Sequence, residues 1–214
     1  MVSGRALAAA IVSGCCISSA FAADPAKPSL LVVPMFGDGV TLMVPAGWNR
    51  VHQERTAQQA VLEFVPAGQS VKDWSEMLTV QAIKGPPAEV TPMGFLEQVV
   101  VGVRRVCPEH AVAITLGDLK VGERPAHAAI IGCGAMPAGT AGAKAGQGEV
   151  AFYVAVRGVS DMVVVHRAVR GKAFDRRQPP ITAPVAAAMR AALEPLTVCG
   201  LSEPPARCGP TAKR

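Results

Sequence analysis

Aromatic side chains are scarce in this chain: two tryptophans, one tyrosine and six phenylalanines, 4% of 214 residues. Charged residues are also few, at 17%. With so few stacking rings and no basic run interleaved with them, the sequence lacks the platform by which nucleic acids are bound, so a nucleic-acid partner is not expected. Paired metal-ligand spacings are missing as well. No Cys-x-x-Cys or His-x-x-x-His occurs, and His52, His110, His127 and His166 lie far apart, so neither a metal nor a cofactor is expected. Gly-x-Ser-x-Gly is absent, which removes the nucleophile elbow of α/β-hydrolases. No Gly-Lys-Ser/Thr closes a phosphate-binding loop; Ala143-Lys144-Ala145-Gly146 sits in a Gly- and Ala-rich stretch, 135–148, that leads into no helix and reads as a mobile loop. Beyond the first residues, no apolar run reaches membrane-spanning length without a charge or a breaker.

What is present is apolar bulk. Half of the residues are hydrophobic, enough for one substantial core, and the formal charge of +5 is only mildly basic. At the N-terminus Arg5 precedes the run Ala6 to Val12, and Ala20-Phe21-Ala22 fits a small-x-small cleavage pattern, so 1–22 reads as an export signal and the protein as periplasmic or secreted. Val12-Ser13-Gly14-Cys15 also fits a lipobox, which gives the alternative of a lipoprotein anchored through Cys15. The remaining divisions are an extension or edge strand over 23–37, a single α+β domain over 38–198 and a tail over 199–214.

The strands announce themselves through β-branched runs and their breakers. Ser29 to Pro34 suits an edge strand, because proline is tolerated where its side of the ladder is unpaired. Val40 to Val44 ends at Pro45, and Val61 to Val65 ends at Pro66. Asn49 to Gln59 is polar and reads as a loop. After Gly68, Ser70 and Asp73 are candidate local caps for a short helical turn carrying Trp74, followed by a strand over 77–83 that Gly85-Pro86-Pro87 terminates. Two hairpins follow, 111–119 with 126–133 and 150–156 with 162–169, antiparallel because their connections are short. In the second hairpin both faces are apolar, which implies cover on both sides, and two helices on opposite faces would provide it.

Those helices have clear starts. Thr91-Pro92 pairs a capping hydroxyl with proline at the first helical position, and Met93, Leu96, Val99, Val100, Val103 and Val106 draw an apolar stripe that should end by Cys107-Pro108. Thr182-Ala183-Pro184 opens a second, with Val185, Met189, Ala192, Leu193 and Leu196 as its stripe and Cys199-Gly200 as its end.

The cadence Val40-Thr41-Leu42-Met43-Val44-Pro45-Ala46-Gly47-Trp48 is repeated around Phe64-Val65-Pro66-Ala67-Gly68 and Trp74-Ser75-Glu76-Met77. A strand stopped by Pro-x-Gly and followed by tryptophan resembles the opening of Mog1/PsbP-like domains, over roughly 38–198. The second unit is also similar to small proteobacterial envelope proteins. The resemblance implies an α+β fold, an antiparallel sheet flanked by helices on both faces in an α/β/α sandwich. It implies no catalytic residues, and the wider fold serves photosystem-associated subunits, nuclear transport cofactors and envelope proteins, so function stays open. Trp48 and Trp74 are expected as structural anchors.

Cys107, Cys133, Cys199 and Cys208 remain after the leader, an even set in an exported chain and therefore two expected disulfides. Cys107 with Cys133 and Cys199 with Cys208 is the favoured pairing; Cys199 with Cys133 is the alternative. Arg157, Arg167, Arg170, Lys172, Arg176 and Arg177 gather around the last hairpin and, if grouped in space, would form a patch for an anionic ligand or an acidic envelope partner; the competing reading is a solvated rim. The sequence thus points to a non-enzymatic binding or accessory module. The alternatives are a hydrolase-like enzyme built on His127 or His110 with nearby carboxylates, and a structural lipoprotein.

Overall fold

A computed structural model describes residues 27–203. The leader, Cys15 and Cys208 lie outside the described residues. In chain order the strands and helices are β1 (Ser29–Met35), β2 (Asp38–Val44), β3 (Trp48–Arg55), β4 (Gln59–Pro66), β5 (Glu76–Lys84), α1 (Pro92–Val106), β6 (Ala111–Val121), β7 (Arg124–Cys133), β8 (Gln147–Arg157), β9 (Asp161–Lys172), α2 (Ala183–Ala191) and β10 (Thr197–Gly200). The protein is mostly antiparallel sheet with two helices.

Seven strands form one sheet in the order β3-β4-β5-β9-β8-β7-β6, and β1-β2-β10 form a smaller one. Every pairing is antiparallel, including β5 with β9, which closes the centre of the large sheet across a long stretch of sequence. Both expected hairpins are present as β6-β7 and β8-β9.

Alternation along β8 sorts the packing. Val150, Phe152, Val154 and Val156 enter a cluster with Val40, Leu42, Val44 and Val198 of the small sheet and with Ala186 and Met189 of α2. Ala155 instead joins Ala129, Ile131, Met162 and Leu96 of α1 in a second cluster, and Ala151 joins Val65, Trp74 and Met77 in a third. Apolar character on both sides of β8 is therefore explained by two different partners. Much of the cover comes from the small sheet, where a second helix alone was expected.

Thr91 caps α1 by accepting a hydrogen bond from the Gly94 amide at 3.0 Å, with Pro92 in the first turn and Arg104 and Arg105 in the last, where they complement the helix dipole. Of the expected stripe only Leu96 is fully buried; Met93 and Val106, at its two ends, are about half exposed. Three local expectations are corrected. The polar stretch after Trp48 is a strand, β3, because an edge strand with largely solvent-facing sides need not alternate. Ser70 does cap locally, its Oγ accepting from the Asp73 amide at 3.3 Å, but the two residues form an isolated bridge with reciprocal backbone hydrogen bonds, and Trp74 follows with no helical turn. The second helix stops at Ala191; Leu193 and Leu196 are buried beyond it, and Thr197 to Gly200 pair with β2.

The two sheets are joined by a reciprocal pair of buried aspartates. Asp38 accepts from the backbone amides of Val159, Ser160 and Asp161 at 2.8–3.0 Å, while Asp161 accepts from those of Gly37 and Asp38 at 2.9 and 3.1 Å. Each carboxylate thus closes the turn on which the other stands. Gly158 is required here, because a Cβ would lie 2.3 Å from Asp38 Oδ2.

Candidate functional site

The six cations of the last hairpin do not converge. Arg157 donates to the carbonyls of Pro86, Pro87 and Val90, and so fixes the segment that leads into α1. Arg167 and Arg170 leave β9 on opposite faces: the first lies opposite Leu78 of one core cluster, while Ala168, of the other parity, packs with Trp74. Each covers a tryptophan. Arg167 sits 5.3 Å from the Trp48 ring centroid and donates to Glu76; Arg170 sits 4.0 Å from that of Trp74 and donates to Glu149. The two Pro-x-Gly turns therefore end in matching arginine-on-tryptophan stacks. Both arginines are committed to the fold, and Lys172 is exposed at the end of β9.

Arg176 and Arg177 have another companion. Together with Arg104 of α1 they line a hollow of about 440 Å³ that reaches Ala111 to Ile114 of β6. All three are exposed, and among the described residues no hydrogen bond or ion pair engages their guanidinium groups. Arg104 had no place in the sequence reading because it stands far away in the chain, in the last turn of α1.

That hollow opens onto β6, an edge of the large sheet. The two edges differ in kind. β3 presents Arg50, His52, Gln53, Glu54 and Arg55, the charged dressing that discourages pairing. β6 presents Ala113, Ile114, Thr115 and Leu116, all exposed and uncharged, and carries charge only further along, at Asp118 and Lys120. Next to it, Met93 and Val101 of α1, both exposed, face Ile114 across a groove of about 540 Å³ between α1 and the β6-β7 hairpin.

The same groove contains His127, and here the sequence proposal of a histidine with a nearby carboxylate meets a definite geometry. His127 is buried; its Nδ1 lies 2.7 Å from Asp118 Oδ1 and its Nε2 lies 3.0 Å from Thr115 Oγ1. An Nδ1–H that donates to the carboxylate leaves Nε2 of the neutral ring to accept from the threonine hydroxyl. Thr115 and Asp118 are three residues apart and would point to opposite faces of a regular strand. A bulge at Leu116, with Gly117 at φ 101°, places both on the face of His127. Neither partner was legible from the sequence, since the bulge has no signal beyond that glycine. His110, the alternative base, lines a separate hollow with Arg176 and Arg177.

A further polar row crosses the sheet through directly paired positions, His52, Glu63, Thr79, His166 and Tyr153. His166 and Tyr153 stack with centroids 4.5 Å apart. Burial pushes the His166 imidazole down to about 4, and burial, then Glu149, push the Tyr153 phenol up. Burial raises the Glu63 carboxyl, which His52 partly offsets. Among the described residues Thr79 Oγ1 and His166 Nδ1 lack a hydrogen-bond partner. No group of three or more ligating side chains able to hold a metal occurs among the described residues.

Cys107 is bonded to Cys133, which ties the end of α1 to the end of β7. Cys199 is disulfide-bonded as well. No helix among the described residues is long and apolar enough to cross a membrane.

No family model and no curated protein sequence matches the chain. Similar solved structures include a point mutant of the protein Mog1, at 16% identity and a TM-score of 0.43 over 85% of this chain and 87% of that one. The Ran-binding protein Mog1p of Saccharomyces cerevisiae is 15% identical with a TM-score of 0.42, over 85% of this chain and 88% of that one. PsbP from the cyanobacterium Synechocystis is 12% identical with a TM-score of 0.41, over 66% of this chain and 80% of that one. The expected likeness to Mog1 and PsbP is thus found.

Proposed function

We propose that the chain is a binding module that captures an extended, acidic segment of a partner protein along β6. The observation that carries this reading is the exposed, uncharged edge stretch Ala113 to Leu116, flanked by three guanidinium groups that have no partner among the described residues. Such an edge offers unpaired backbone groups to an added strand, while alternate side chains of that strand would meet the groove under α1. Arg104, Arg176 and Arg177 select for carboxylates. The leader pattern supports a periplasmic or secreted setting, soluble or tethered through Cys15. Membership of α1 and α2 in different packing clusters supports the sandwich with a helix on each face.

Titration with a synthetic peptide alternating glutamate and valine tests the reading. Replacing Arg104, Arg176 and Arg177 together by alanine should weaken binding about tenfold, since exposed ion pairs contribute about 0.2–1 kcal/mol each. Added salt should weaken the wild type more than the variant. Equal affinity of the two proteins would refute the proposal.

A further inference from the structure

Docking of a partner strand makes no use of the aligned hydroxyl, imidazole and carboxylate on the β6-β7 hairpin. We propose that Thr115 is an acyl-accepting nucleophile, with His127 as its base and Asp118 orienting the imidazole, and that the chain hydrolyses carboxylic esters whose apolar acyl part lies in the groove beneath α1. The inference goes beyond the binding role and does not depend on it, and a docked strand and an acyl group would compete for the same groove.

The geometry has the order that such chemistry needs: nucleophile to base at 3.0 Å, base to carboxylate at 2.7 Å, with the tautomer fixed by the carboxylate. Thr115 and Asp118 are both open to solvent with His127 buried between them, and Thr115 and His127 line the groove of about 540 Å³. An exposed threonine has water to satisfy it and needs no histidine; the bulge at Leu116 gives up regular pairing and turns both side chains toward one imidazole. Leu96, Val100, Val101 and Ile114 supply an apolar wall for the acyl group, and Glu97 and Arg104 line the same groove.

In the first step Thr115 Oγ attacks the ester carbonyl carbon while its proton passes to His127 Nε2. The tetrahedral adduct collapses, the bond to the leaving oxygen breaks, and the alcohol departs with that proton. Water, deprotonated by the same Nε2, then attacks the acyl-threonine, releasing the carboxylic acid and restoring the hydroxyl.

The test combines hydrolysis of p-nitrophenyl butyrate with labelling by a fluorophosphonate, the adduct being located by peptide mass spectrometry. The expected result is an adduct on Thr115, with kcat/KM at least about 100-fold lower in Thr115→Val and in His127→Gln. Asp118→Asn should lower kcat with KM little changed, and Thr115→Ser should retain activity, while thermal melts show all four variants folded. Hydrolysis unchanged in Thr115→Val, or labelling that bypasses Thr115 in the folded wild type, would overturn the proposal.

Discussion

His166 stands in the large sheet with its ring against Tyr153 and its Nδ1 unpartnered among the described residues. Its depressed pKa means that the folded state resists a proton that the unfolded chain accepts near 6.5. Between about 6.5 and 4 the unfolded state binds more protons, so stability falls as pH falls through that window and the full penalty is present below 4. Urea midpoints measured from about pH 7 to about pH 4 should decline in the wild type, and the decline should be shallower in His166→Phe. Glu63, whose carboxyl is raised by burial, acts with opposite sign, so the difference between the two slopes is the quantity that reports His166. The arginine stacks make a second prediction at this scale. Arg170 is nearly fully buried between Trp74 and Glu149. Arg170→Ala leaves a carboxylate without its partner and should cost about 3 kcal/mol in equilibrium unfolding. Arg170→Lys should recover only part of that, because an ammonium lacks the planar fork and the stacking face.

At the scale of elements, the joint between the two sheets depends on Asp38 and Asp161. Each accepts several backbone amides within a buried joint, so Asp38→Ala or Asp161→Ala should lower stability by about 3 kcal/mol, with Gly158→Ala also destabilising through its contact with the Asp38 carboxylate. Denaturant titration of the three variants checks this. The Cys107–Cys133 bond makes the other element-scale prediction: replacing both by serine should cost about 3 kcal/mol, measured in the same way. The sequence displayed these elements unevenly. Thr91-Pro92 and the β-branched runs before Pro45 and Pro66 named α1, β2 and β4 because capping and proline chemistry act locally. β3 was hidden because an exposed edge needs no apolar alternation, and β10 because four residues are too short for a period. The aspartate joint was equally hidden: Gly37-Asp38-Gly39 and Gly158 to Asp161 read as two ordinary turns, and only the fold brings them together.

For the molecule as a whole, the distribution of charge and edge character matters more than net charge. The sequence suggested a basic cluster on the last hairpin, but alternation along β9 sends Arg167 and Arg170 to opposite faces, and each is held by a glutamate. The arginines left over, Arg176 and Arg177, meet Arg104 at the β6 edge through a packing of α1 that no local pattern encodes. One edge of the large sheet is charged along most of its length, while β6 is free of charge over Ala113–Leu116 and carries Asp118 and Lys120 only beyond its bulge, and that asymmetry supports the proposed strand-accepting role. The most direct measurement is amide hydrogen exchange of the purified chain with and without the alternating glutamate and valine peptide. New protection is expected over Ala111–Val121, with β3 unchanged. Protection at β3, or none along β6 at saturating peptide, would contradict the strand-accepting role.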